Sequence, residues 1–183
     1  MAGELNCLRN HTLIDYNERH FTRIDGSVEE MHDDPPNQPT KGIIIVDHGS
    51  RRNESNRRLL DLVEMFRQRN PGAIIEPAHM ELDEPSIRQS FAKCVERGAN
   101  LIIVNPFFLL PGRHWKHDIP DLAAEAAADH PGVRYLVTAP LDLHPLIMDI
   151  MSQRIDDCLA VATGKQLECP VCNNVDQCQV RKA

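Results

Sequence analysis

The 183-residue chain reads as an α/β protein: a single three-layer domain on a four-stranded, mainly parallel sheet, with a flexible N-terminal arm and a C-terminal cysteine tail. Three observations predict this. Two short runs, Gly42 to Val46 and Leu101 to Val104, are continuous and rich in β-branched residues, as in strands buried on both faces of a parallel sheet. Segments with helical spacing alternate with the strands, which implies parallel βαβ crossovers with helices on both faces. The length suits one core plus tails.

The elements follow in order. Strand one is Gly-Ile-Ile-Ile-Val from Gly42. A helix over Glu54 to Arg69 is predicted by Leu59, Leu62, Val63 and Phe66 recurring on one face. A strand near Ala73 to Met80 and a helix near Pro85 to Arg97 come next, and Cys94 falls inside that helix as a core residue. The buried strand Leu101 to Val104 leads to a helix over Ile119 to Asp129, a strand near Val133 to Thr138, and a closing helix over His144 to Leu159. Residues 1–40 are polar, lack a sustained period and end in Asp-Asp-Pro-Pro-Asn-Gln-Pro, so they read as a mobile arm. The folded domain is expected over 41–160 and a cysteine-rich tail over 161–183.

Composition narrows the function. Twenty Lys and Arg against twenty-seven Asp and Glu leave a formal charge of −7, which argues against general binding of nucleic acid or anionic lipid. No apolar run approaches the roughly 20 residues of a membrane helix, and the N-terminus lacks a signal-peptide core, so a soluble protein without membrane insertion is expected. The arm also lacks the Arg-rich, Ser-rich, acid-poor character of an organelle transit peptide. Six cysteines, three of them in the last fifteen residues, suit a cofactor or redox tail better than a disulfide framework.

In open parallel sheets ligands bind beyond the carboxyl ends of the strands. Strand one ends in Asp47-His48-Gly49-Ser50-Arg51-Arg52, strand two in Ala78-His79-Met80-Glu81. Strand three runs through an apolar Phe107 to Leu110 stretch into Pro111-Gly112-Arg113-His114-Trp115-Lys116-His117-Asp118. Two imidazoles, His48 and His114, and the Glu81 carboxylate at one rim suit a first-row divalent ion with positions left open for exchange. His79 reads as packing against the sheet, His117 as a solvated helix start, and Asp118 as the N-cap of the helix at Ile119-Pro120. The Phe107 to Leu110 run suits a wall for a large flat ligand.

The motifs Val-Asp-His-Gly-Ser-Arg, Met-Glu-Leu-Asp-Glu-Pro-Ser-Ile, Phe-Phe-Leu-Leu-Pro-Gly-Arg-His and Ala-Pro-Leu-Asp-Leu-His-Pro-Leu, in this order over about Gly42 to Leu159, resemble the short class II chelatases, specifically the sirohydrochlorin ferrochelatases. The resemblance implies that His48, Glu81 and His114 surround the incoming metal and that the pocket holds sirohydrochlorin, a tetrapyrrole bearing eight carboxylates. Metallation removes two pyrrole protons, so the site needs exchangeable ligands that are also bases, and histidine suits both tasks. His48 and His114 are assigned to metal handling and proton acceptance, and Glu81 to charge balance or a third ligand. Ser50, Arg51, Arg52, Arg113 and Lys116 are expected to bind the substrate, the guanidinium groups by pairing with its carboxylates. The resemblance also implies a homodimer, because longer relatives carry two such halves.

The tail carries Cys169-x₂-Cys172-x₅-Cys178, three thiols suited to iron–sulfur or zinc ligation, either of which wants four ligands. Cys158, Cys7, a non-cysteine ligand or a partner chain are candidates for the fourth. Resemblance to the plant-type enzymes implies a [2Fe–2S] centre on Cys169, Cys172 and Cys178 and a setting in the plastid stroma, with the transit peptide absent from this chain. A zinc site, a Cys172–Cys178 disulfide and a simple thiol tail are the competing readings. Fe²⁺ is the expected substrate metal. Cobalt or nickel on the same tetrapyrrole, a non-catalytic tetrapyrrole or iron carrier, and an electron-transfer module are the alternatives.

Overall fold

The computed structural model describes residues 39–172 and 180. The expected arm before residue 39 with Cys7, and nearly all of the tail beyond Cys172, including Cys178, lie outside the described residues. Four strands form one sheet: β1 (Lys41–Asp47), β2 (Ile74–His79), β3 (Leu101–Pro106) and β4 (Arg134–Val137). Their order is β2-β1-β3-β4 and every pairing is parallel. The helices are α1 (Asn53–Arg69), α2 (Ile87–Glu96), α3 (Ile119–Ala128) and α4 (Pro145–Ala162), and a π-helical turn, His114–Asp118, runs straight into α3. The register sets Asp47 beside His79 and Val46 beside Pro106, so the carboxyl ends of β1, β2 and β3 finish level.

Side chains alternate across β1 into two cores. Ile44 and Val46 join Phe91, Cys94, Ile102, Val104, Ile119 and Ala123 under α2 and α3. Ile45 joins Leu59, Val63 and Ile75 under α1. Together these make three layers. The glycine that starts the β1 run lets α2 pack close: a Cβ on Gly42 would stand 2.8 Å from the Cβ of Cys94. Burial, with the nearby Glu76 charge, pushes the Cys94 thiol up to about 12, so it is an inert core residue, as expected from its helix position. A capping box starts α2, with Ser86 N–H donating to the Gln89 side chain at 2.8 Å and Ser86 Oγ accepting from Gln89 N–H.

One part of the α1 stripe differs from expectation. Leu59 and Val63 are buried, but Phe66 is exposed and Arg67 turns inward instead. The reason is the sheet edge: β2 has a strand on one side only, and its Ile75 carbonyl accepts from Arg67 Nε at 3.0 Å and Nη2 at 2.7 Å.

The same edge carries a buried acid. Glu76 is 2% exposed and meets Arg97 at 2.5 Å, Lys93 at 2.8 Å and Arg67 at 3.4 Å. Burial alone would raise its carboxyl, but the hydrogen bonds from Lys93 and Arg97 and the charges around it outweigh that and hold it below the ordinary carboxylate value. A carboxyl that is more acidic in the folded chain stabilises the fold above its unfolded value and loses that contribution as pH falls through the folded value. Thermal melts are therefore expected to drop below about pH 4.5, with Glu76→Gln removing part of that drop. At neutral pH this variant should be less stable by under the roughly 3–5 kcal/mol of a broken fully buried pair, since the three cations stay partly in water. An unchanged acid profile in Glu76→Gln would refute the assignment.

Apolar side chains are also left exposed on two further elements. No residue of α4 is buried, and Leu143, Leu146, Met151, Ile155 and Leu159 are at least half exposed. On β4, Tyr135 and Leu136 are also exposed.

Candidate functional site

The strand ends are tied together by main-chain hydrogen bonds. Met80 N–H donates to Asp47 O at 2.9 Å, Glu81 N–H to His48 O at 3.1 Å, and Phe107 N–H to Val46 O at 2.7 Å. Gly49 makes this approach possible. Its φ is +82°, and a Cβ there would lie 1.9 Å from the Glu81 carbonyl oxygen. The loop after β1 therefore lies against the loop after β2 only because residue 49 has no side chain.

The close approach brings His48, Glu81 and His114 to one rim, as expected from their positions at strand ends. His48 Nε2 is 3.1 Å from Glu81 Oε1, and the His48 and His114 rings stand edge to face with centroids 5.1 Å apart. All three side chains are roughly half exposed. His48 Nδ1 lies 3.1 Å from the Gly49 carbonyl oxygen and its Nε2 3.1 Å from Glu81 Oε1, and both partners can only accept. A neutral ring carries one proton for these two acceptors, so the other nitrogen faces an oxygen lone pair across a gap that takes a proton or a cation. Among the described residues, no three His, Cys, Asp or Glu side chains stand together as a metal-holding group. The contacts at this rim are pairwise.

Asp118 corrects an expectation. It does not cap α3, because the π-helical turn continues into that helix and leaves no free first turn at residue 118. Its carboxylate instead accepts from His114 Nδ1 at 2.7 Å, which leaves His114 Nε2 as the outward lone pair. Trp115 Nε1–H anchors the turn to Thr138 O at 2.8 Å. His117 is exposed, as expected. His79, read as merely packing on the sheet, is 1% exposed and has a specific partner: its Nδ1 lies 2.6 Å from Asp47 Oδ1, which also accepts from Gly49 N–H at 2.9 Å. This pair fixes the residue next to His48.

Two open cavities flank the rim. The first, about 460 Å³, is lined by Asp47, His48, Ser50, Arg58 and the Phe107 and Phe108 wall, among others. The second, about 490 Å³, contains Glu81, Arg113 and His114 with the acids Asp118, Asp121 and Glu125. Of the expected substrate-binding residues, Ser50 lines the first cavity and Arg113 the second. Arg51, Arg52 and Lys116 are exposed and line neither. The sequence reading gave Arg58 no role and did not pair Asp118 with His114 or Asp47 with His79. Two signals pointed to the acids: the four-residue spacing from His114 to Asp118 on one helical turn, and Asp47 beside His79 at adjacent strand ends.

At the start of the tail Cys169 is buried, and the backbone N–H groups of Cys172 and Val171 hold its thiol below the usual value. Cys158 is exposed on α4 and Cys172 half-buried.

The family CbiX matches residues 42–158. A chloroplastic sirohydrochlorin ferrochelatase of Arabidopsis thaliana is 52% identical over 139 residues, covering 76% of this chain and 62% of that one. Two solved structures of SirB from Bacillus subtilis superpose with TM-scores of 0.62. The one with Fe³⁺ is 30% identical over 64% of this chain and 47% of its own. The other, of subspecies spizizenii in complex with cobalt, is 31% identical over 64% of this chain and 50% of its own. The chain thus spans less than two thirds of the length of each of these relatives.

Proposed function

The chain belongs to the CbiX family, and from that premise we propose that it inserts Fe²⁺ into sirohydrochlorin, giving sirohaem and two protons without nucleotide. The observation that supports this reading is the junction of His48, Glu81 and His114, in which Asp118 holds His114 at Nδ1 and His48 Nε2 faces the Glu81 carboxylate. The gap between His48 Nε2 and Glu81 Oε1 takes either a proton or a cation, and metallation exchanges one for the other. His48 and His114 pass the ion and accept the pyrrole protons, and Glu81 balances the charge of the arriving cation. Asp118 holds His114 in the tautomer that offers Nε2. The Phe107 and Phe108 wall suits one edge of a flat macrocycle, whereas the acid-rich second cavity suits a cation and repels a polyanion. The plastid-targeted relative supports a plastid setting, with the stroma as the compartment.

Iron is the preferred ion by likeness to the Arabidopsis ferrochelatase, while SirB is seen with both iron and cobalt. Two histidines and a carboxylate select weakly among first-row divalent ions, so cobalt stays within reach of the same site and nickel is a further candidate. Anaerobic competition between Fe²⁺, Co²⁺ and Ni²⁺ for sirohydrochlorin tests this: iron incorporated ahead of the others is expected, and a cobalt preference at equal concentration would reassign the metal.

The tail is assigned a [2Fe–2S] centre. Its donor set fits, since Cys169-x₂-Cys172-x₅-Cys178 supplies thiols of the kind that ligate iron, and the Cys172 and Val171 N–H groups lower the Cys169 thiol from its usual value. Cys169, Cys172 and Cys178 would hold it with one further ligand, and when bound it supplies one-electron redox chemistry. Anaerobically purified protein is expected to show visible charge-transfer bands. A colourless active protein would remove the cluster and leave the chelatase. A second copy of the chain is assigned to the apolar face of α4 and β4. Sedimentation as a monomer at micromolar concentration would exclude it.

A further inference from the structure

We infer that Arg58, with the hydroxyls of Ser50 and Ser55, forms a carboxylate-binding subsite at the start of α1 that orients the tetrapyrrole by a peripheral acid. The subsite rests on the chelatase reading and adds to it which residues grip the substrate. The first turns of α1 set Ser55, Arg58 and Leu59 along one wall of the 460 Å³ cavity, with His48 and Phe107 lining it as well. A macrocycle edge against the phenylalanine wall brings its acid side chains to this cation.

Arg58 is available for that purpose. Among the described residues Arg67, Arg88, Arg97 and Arg154 each pair with a carboxylate, but Arg58 does not. Asp47, the acid lining the same cavity, is engaged by His79 and by the Gly49 N–H. Arg113 is the expected alternative, yet it stands 3.9 Å from Asp118 among Glu81, Asp121 and Glu125, where an octa-anion is repelled.

The hydroxyl beside Arg58 is also oriented. Ser50 Oγ accepts from Arg52 N–H at 3.1 Å, so its own proton is free for an acceptor in the cavity. Asn56, 5% exposed, holds this loop in place. Its Nδ2 donates to Ser50 O at 2.7 Å and to the Asp83 carboxylate, and because both partners only accept, its amide orientation is fixed. A guanidinium fork and a serine hydroxyl together match a carboxylate's two oxygens.

The test compares Arg58→Gln with Arg57→Gln, an exposed neighbour that makes the same change in net charge outside the cavity. The probe is a metal-free octacarboxylate porphyrin titrated by fluorescence. Arg58→Gln is expected to weaken binding roughly tenfold, Arg58→Lys to recover part of the loss, and Arg57→Gln to match wild type. In turnover, Arg58→Gln should raise KM for sirohydrochlorin and leave kcat and KM for the metal unchanged. Equal binding by the two glutamine variants overturns the subsite while leaving the chelatase reading intact. A wild-type chain that fails to bind the porphyrin overturns both.

Discussion

Replacing both His48 and His114 with alanine is expected to cut metallation by about 10²–10⁴-fold, the usual range for losing positioned acid–base groups, while porphyrin binding stays within a fewfold of wild type. The two rings are partly exposed and outside both hydrophobic cores, so the double variant should fold and melt close to wild type. On the proposed mechanism the loss should appear in kcat, with the imidazoles acting as the ion and the pyrrole protons exchange. Each single variant should lose less than the pair, since one imidazole remains at the rim. Anaerobic initial rates of sirohaem formation, read beside porphyrin fluorescence quenching, separate these outcomes. Unchanged metallation in the double variant would remove His48 and His114 from the chemistry.

The second large effect is expected at a residue with no side chain. Gly49→Ala places a methyl group 1.9 Å from the Glu81 carbonyl oxygen in a backbone conformation that disfavours L residues, so the loops after β1 and β2 must separate. Left-handed strain alone costs roughly 1–3 kcal/mol, and relieving the clash breaks the Glu81 N–H to His48 O bond. Activity should fall at least 100-fold, because a 1 Å misplacement in such a site can cost about that much. Wild-type rates in a stable Gly49→Ala protein would show that the contact does not position Glu81.

The sequence made the sheet legible because β1 and β3 are continuous β-branched runs that no amphipathic helix would carry. The placement of His48, Glu81 and His114 at one rim was legible for a related reason: all three follow strands whose carboxyl ends must share one edge. Arg58 was hidden beside Arg57 on α1 and Arg51 and Arg52 before it, and the rotation of α1 about its axis decides which of its two arginines lines the cavity. Phe66 misled because hydrophobic spacing takes no account of Arg67 satisfying an edge-strand carbonyl. The cap expected at Asp118 failed because a π-helical turn, which leaves no periodic signal, joins His114 to α3. The bare surface of α4 was illegible as well, since its apolar residues look the same whether they meet the sheet or a partner.

The most direct test of the chelatase assignment is anaerobic metallation of sirohydrochlorin by the wild-type chain, with sirohaem absorbance and proton release followed together. Formation well above the uncatalysed rate, with two protons released per Fe²⁺ consumed, is the expected result. Tight tetrapyrrole binding with metallation at the uncatalysed rate would contradict it and make the protein a carrier.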